Sequence, residues 1–221
     1  MEFREVVRRR RMVRDYSEEP VDPGAVERML RHAVRAPSAG FTQGWGFVVL
    51  DRPADVHAFW LATAGAARLA DPDPWLQGMS RAPVVVVPCS SREAYLARYA
   101  EPDKAGARRG GTGVEGSPWL VPYWHTDAAM AALLILQTAV DEGLGACFFG
   151  LPVDSDAAVR ATLGLPDDVT PVGAVTVGHP APRQEREGTG SGSPRRRPRR
   201  PLDEVVHRGR WGAPPPGPPA G

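Results

Sequence analysis

Three guanidinium groups fall within five residues at Arg10, Arg11 and Arg14, in the run Arg10-Arg11-Met12-Val13-Arg14-Asp15-Tyr16. Planar guanidinium groups keep their charge at any cellular pH and donate paired bonds to phosphate oxygens, each worth about 1.5–3 kcal/mol net. Taken alone, such a run is equally well read as the solvated basic end of a helix. A second cluster stands near the other terminus, at Arg195 to Arg197 with Arg199 and Arg200, and most of the acids lie between the two. The net charge of +1 over 221 residues argues against a surface built broadly for nucleic acid. The later run, without interleaved aromatics, is a generic basic patch, and no nucleic-acid partner is expected.

Other groupings are weaker. Gly111-Thr112-Gly113-Val114-Glu115-Gly116 matches the dinucleotide pattern G-x-G-x-x-G, but Arg108 and Arg109 precede it where a strand is needed. Ser117-Pro118 follows it where a helix is needed, so a flexible glycine loop is the better reading. Tyr123, Trp124, His125 and Asp127 sit where a long loop gives way to a helix. They are candidates to line a substrate pocket, set against the plainer reading of a capped helix start with buried aromatics. Two metal-compatible side chains do not make a metal site, and none is expected. Cys89 and Cys147 each stand in an apolar run, the setting of buried, inert thiols, which suits a reducing cytoplasm. No apolar run reaches the roughly 18–20 residues of a membrane span, so neither insertion nor secretion is expected.

The elements that would position these groups follow from spacing. Phe3, Val6 and Val7 predict a short amphipathic helix over 2–11; Asp22-Pro23 is an N-cap with proline at the first helical position, opening a helix that Pro37 stops. Strands are expected at 45–50, at the four valines between Pro83 and Pro88, at 146–151 and at 172–178, with helices at 55–69 and 155–163. From Ser90 to Tyr123 the pattern dissolves, apart from a helical stretch near 92–99, and a loop of that length is commonly a lid. Thr126 or Asp127 is expected to cap a helix over 128–142 that is apolar nearly all round. Such a helix must be buried under a sheet or against a second subunit. Leu202 to His207 is a short strand or helix, and 212–221 a disordered Pro/Gly tail. The fold class is α+β, a mixed central sheet flanked by helices, in a single domain over 1–211.

Four segments in order resemble the nitroreductase family: the arginine run; Ala36-Pro37-Ser38 followed by Gln43 and Trp45; Gly143-Leu144-Gly145-Ala146-Cys147-Phe148-Phe149-Gly150; and Val175-Thr176-Val177-Gly178-His179-Pro180, with Arg199-Arg200-Pro201-Leu202 closing the series. The resemblance implies FMN held at a homodimer interface, with the 128–142 helix in that interface. It implies that Arg10, Arg11, Met12 and Arg14 meet the phosphate and pyrimidine edge of the flavin, aided by Arg197 and Arg199. Pro37, Ser38, Ala39 and Phe41 approach from the other subunit, and Phe149, Gly150 and Leu151 lie along the far side of the ring. It also implies an NAD(P)H donor and a small oxidised acceptor such as a nitroaromatic or quinone, bound near Phe41, Tyr123, Trp124 and His125. The flavin carries the chemistry, so no side-chain acid or base is required. A flavin-storing protein without turnover, or an enzyme of specialised metabolism on the same scaffold, are the alternatives. Three positions depart from the family pattern: Met12 stands for serine, Phe41 for asparagine and Gly44 for proline.

Overall fold

The structure, a computed structural model, describes residues 1–104, 113–117, 119–182 and 198–212. It divides into two units, Met1–Pro182 and Arg183–Gly221. Arg197 and nearly all of the expected tail lie outside the described residues, as do Gly111 and Thr112.

The first unit is a sheet between two helical layers. Its strands are β1 (Trp45–Leu50), β2 (Val84–Ser91), β3 (Gly145–Phe149), β4 (Val169–Pro171) and β5 (Ala174–Gly178). They run in the order β1-β2-β5-β3, with β4 beside β2, and every pairing among them is antiparallel. Among the described residues the parallel component is one bridge, Met12 to Ala146, which lays the arginine run along β3. In the four-valine run side chains alternate between faces. Val84 and Val86 join one core cluster and Val85 and Val87 the other, and all four are buried. Burying each contributes roughly 1.5–3 kcal/mol.

Over the first face lie α2 (Pro23–Ala33) and α7 (Tyr123–Asp141), which pack on each other. Arg28 clamps them, its Nε and Nη2 donating to Glu142 at 2.7 and 2.8 Å. The other face carries α3 (Pro53–Ala64), α5 (Pro74–Met79) and α8 (Asp156–Leu163). Short helices α1 (Phe3–Arg9), α4 (Ala66–Ala70) and α6 (Arg92–Ala100) complete this unit, and α1 packs on α7.

Several boundaries differ from those expected. The 55–69 helix is split into α3 and α4 by Gly65, whose φ of 77° only glycine adopts readily. Helix α5 was not foreseen, although Asp73-Pro74 repeats the Asp22-Pro23 signature and Asp73 accepts from the Trp75 and Leu76 N–H groups. Helix α7 starts at Tyr123, after Pro122, so Thr126 and Asp127 are not its cap: Asp127 sits inside the first turns. The loop expected over 90–123 is shorter, because β2 runs to Ser91 and the Ser91 hydroxyl caps α6 by accepting from Ala94 N–H. The strand expected at 172–178 is β5, which starts at Ala174, and the short β4 before it, at Val169–Pro171, was not among the expected strands.

Cys89 and Cys147 are both free and buried, and burial pushes the Cys89 thiol up to about 11. Among the described residues no group of three or more His, Cys, Asp or Glu is placed to hold a metal ion. No described helix is long and apolar enough to cross a membrane. The second unit contains α9 (Leu202–Val205), where Arg200 pairs with Glu204 at 3.1 Å, and Arg199 is exposed.

Candidate functional site

The arginine run is held rigidly from below. Tyr16, fully buried, donates its hydroxyl to Val13 O at 2.7 Å and lies 2.9 Å from Thr176 Oγ1 in β5. Val13 N–H bonds Ala146 O at 3.0 Å, and a Cβ added at Gly145 would strike Val13 at 2.8 Å. Gly78 of α5 sits against the backbone of Arg14, since a Cβ there would stand 2.3 Å from Arg14 O. Sheet and helix thus fix the backbone of residues 12–15 and leave the guanidinium groups to reach outward.

Most arginines of the first unit are spent on acids: Arg8 and Arg9 on Glu5, Arg28 on Glu142, Arg52 on Asp55, Arg68 on Asp73. Arg10, Arg11 and Arg14 form no ion pair among the described residues. Arg14 lies beside the Cys147 thiol. Arg11 and Val13 instead share a cleft of about 170 Å³ with Arg9, Gly143, Leu144 and Pro180. Met12 packs its side chain against both core clusters, which leaves its backbone to line the edge of β3. Past the end of β3, Gly150 is exposed and a Cβ there would meet nothing within 4 Å, room for a planar ring to lie close. The Phe149 ring turns inward, stacked on Trp60 at 5.6 Å with an interplanar angle of 6°. Guanidinium groups with no acidic partner among the described residues, beside an open strand end, suit a phosphorylated, planar, anionic cofactor such as FMN.

The second half of the site is the segment Pro37 to Gln43. Gly40, Phe41 and Gln43 have φ of 62°, 55° and 53°. For the two non-glycine residues this conformation costs of order 1–3 kcal/mol each and persists only where surroundings impose it. Here they do. Gln43 N–H donates to Ser38 Oγ at 2.8 Å, Ala39 N–H to Asp127 Oδ2 at 2.7 Å, and Arg98 Nε to Gly40 O at 3.0 Å. Tyr95 OH donates to the same Asp127 oxygen at 2.7 Å, and burial first, then Asp127, raises the phenol pKa. Phe41 is left 76% exposed, an unusual position for a phenyl ring.

Of the expected substrate-lining residues, Trp124 is buried edge-on against Tyr95 and His125. Its ring is therefore not offered to solvent within one protomer. His125 lies 2.9 Å from Ser90 Oγ through Nδ1, and Tyr123 meets Trp119 edge-on. Tyr95 and Arg98 were missed, because α6 carries no motif; their part shows only in contacts across the chain.

Gly44 is explained by the same packing. A Cβ there would stand 2.5 Å from the Tyr95 ring. Installing proline, Gly44→Pro, is expected to displace Tyr95 and cost about 1–3 kcal/mol, lowering Tm by roughly 2–10 °C. Thermal unfolding checks this, and an unchanged Tm overturns the packing account.

The two halves stand apart within one chain. The arginine run borders β3 and the Pro37–Gln43 segment leads into β1, and these are the two edges of the β1-β2-β5-β3 path. Three inter-strand steps of about 4.8 Å separate the edges by roughly 14 Å.

Comparison with known proteins agrees with this architecture. The model of the nitroreductase family matches residues 7–179. An "NADH dehydrogenase" of Thermus thermophilus is 32% identical over 190 residues, covering 78% of this chain and 84% of that protein. Among solved structures, NfrA2 of B. megaterium aligns with a TM-score of 0.70 at 21% identity, over 96% of this chain and 75% of that one. A "putative nitroreductase in complex with fmn" from Desulfovibrio desulfuricans aligns with a TM-score of 0.62 at 24% identity, over 93% and 95%. A fold of antiparallel sheet between helices, the ordered motifs and a match over most of the chain together show that this protein belongs to the nitroreductase family.

Proposed function

We propose that this family oxidoreductase is a homodimer holding two FMN molecules, each completed by residues of both subunits, and that it passes reducing equivalents from NAD(P)H to a small oxidised acceptor in the cytoplasm. The observation that supports the reading is the placement of the arginine run, with no ion pair among the described residues, and of the braced Pro37–Gln43 segment beside opposite edges of one sheet path. A second copy supplies to each half what its own chain cannot.

In this reading Arg10, Arg11 and Arg14 grip the phosphate and the pyrimidine edge; the share of Arg197 and Arg199 in the phosphate rests on the family resemblance alone, Arg197 lying outside the described residues. The backbone of Met12, Phe149, Gly150 and Leu151 lines one face. Pro37, Ser38, Ala39 and Phe41 of the partner subunit line the other. Bound FMN would accept a hydride from the nicotinamide and deliver it to the acceptor in alternate half-reactions. A fixed cation at the N1–C2 edge favours the reduced form, because reduction places negative charge there. Tyr123 and His125, in the first turn of α7, would border the open side where donor and acceptor take turns.

Its test is the visible spectrum of protein reconstituted with FMN, followed anaerobically by NADH and then NADPH. A bound flavin that bleaches with either nucleotide is the expected result and identifies the donor. Bound flavin that neither nucleotide bleaches supports storage, and failure to take up FMN overturns the site.

A further inference from the structure

The Pro37–Gln43 segment owes its shape to one buried acid. Asp127 is 1% exposed on α7, and a single oxygen, Oδ2, accepts both Ala39 N–H and Tyr95 OH at 2.7 Å. Ser38 Oγ lies 3.3 Å from Tyr95 OH and accepts Gln43 N–H at 2.8 Å.

The direction of each proton follows by elimination. Tyr95 donates to Asp127 Oδ2, and that spends its one hydroxyl proton. The contact between Ser38 and Tyr95 must then be made by the Ser38 proton, with the Tyr95 oxygen accepting. The chain therefore reads Gln43 N–H to Ser38, Ser38 O–H to Tyr95, Tyr95 O–H to Asp127, with Ala39 N–H joining at the end. No hydroxyl proton of Ser38 remains for a ligand.

We propose that Asp127 is the positioning residue of this half-site: by gathering Ala39 and Tyr95 it holds the left-handed turn at Phe41 and points the Ser38 proton inward, so the segment meets its ligand with backbone groups and the Ser38 lone pair rather than with a hydroxyl donor. The proposal rests on the reading that this segment faces FMN from the partner subunit. Buried polar chains of this kind hold their geometry only when every member is satisfied. Arg98 on Gly40 O steadies the same turn from outside.

The experiment uses the full-length FMN-reconstituted protein and two variants, Asp127→Asn and Tyr95→Phe. Asparagine keeps the volume and can set its amide oxygen where Oδ2 stood, but a neutral amide oxygen in place of the carboxyl accepts both bonds more weakly. Asp127→Asn is expected to speed hydrogen exchange at the Ala39 amide at least tenfold, to raise the FMN dissociation constant at least tenfold, and to move the flavin's visible bands at saturation. Tyr95→Phe leaves the Ala39 bond in place and releases the Ser38 proton, so it should shift the flavin bands while Ala39 exchange stays as in wild type; it also serves if Asp127→Asn does not fold. Faster exchange with unaltered FMN affinity and bands would show a merely structural acid and overturn the proposal. Wild type that binds FMN while both variants match it overturns the proposal alone. Wild type that takes up no FMN overturns the underlying reading, and the proposal with it.

Discussion

Arg14→Ala is expected to raise the FMN dissociation constant roughly ten- to a hundredfold, since one charge-assisted contact of about 1.5–3 kcal/mol is removed and about 1.4 kcal/mol is a factor of ten. Reduction of the flavin by nicotinamide should slow as well, because the cation facing the N1–C2 edge is gone. The fold should hardly notice. The Arg14 side chain is exposed, and the local backbone is fixed by Tyr16, Gly78 and Val13 rather than by the guanidinium. Exposed substitutions of this kind stay within about 0.5 kcal/mol, a change in Tm of no more than roughly 2 °C. Arg52→Ala is the control, removing an equal charge from an exposed pair with Asp55 at the start of α3. Titration of FMN by fluorescence quenching and stopped-flow bleaching supply both readouts. Affinity and reduction rate equal to wild type would remove Arg14 from the site.

How much of this was legible beforehand depended on the range of the interaction that decides each feature. Elements set by neighbouring residues were readable: Asp22-Pro23 opens α2, and Gly164 closes α8 in the left-handed conformation. The four valines of β2 declared burial on both faces, and the clusters divide them by alternation. The start of α7 was misplaced because Asp127 has the chemistry of a cap while its carboxyl is engaged with Ala39, 88 residues away. Residue type alone does not say which of two partners an acid will choose. The site divides in the same way. Guanidinium groups announced themselves by spacing, whereas Tyr95 and Arg98 acquire their part only when α6 is folded against the Pro37–Gln43 segment. Phe41 was conspicuous as a departure from the family pattern, but only its exposure and left-handed φ show it held outward against its own preference.

Leu133→Glu is expected to yield a folded monomer that binds FMN more weakly than Arg14→Ala does. Helix α7 buries Ala128, Ala131, Ala132, Ile135 and Leu136 against the sheet, yet Leu133 is 44% exposed and Met130 and Leu134 are only partly covered. Beside them α1, which packs on α7, exposes Phe3 and Val7. Exposed apolar side chains on two helices packed together are what an interaction surface offers, and the proposed dimer uses them. A carboxylate placed there is nearly neutral in the monomer, because the side chain already reaches water. In the dimer it would be an unpaired charge taken out of water, costing several kcal/mol, so association should weaken at least a hundredfold. In the proposed dimer, loss of the partner removes a whole half-site at once, since the arginine run borders β3 and the Ser38 segment leads into β1 at the opposite end of the sheet path. Light scattering gives the mass, and FMN titration of the same sample gives the affinity. A variant that stays dimeric would place the interface elsewhere. A monomer with undiminished FMN affinity would overturn the shared site while leaving the interface intact, so the two measurements separate where the chains meet from what their meeting builds.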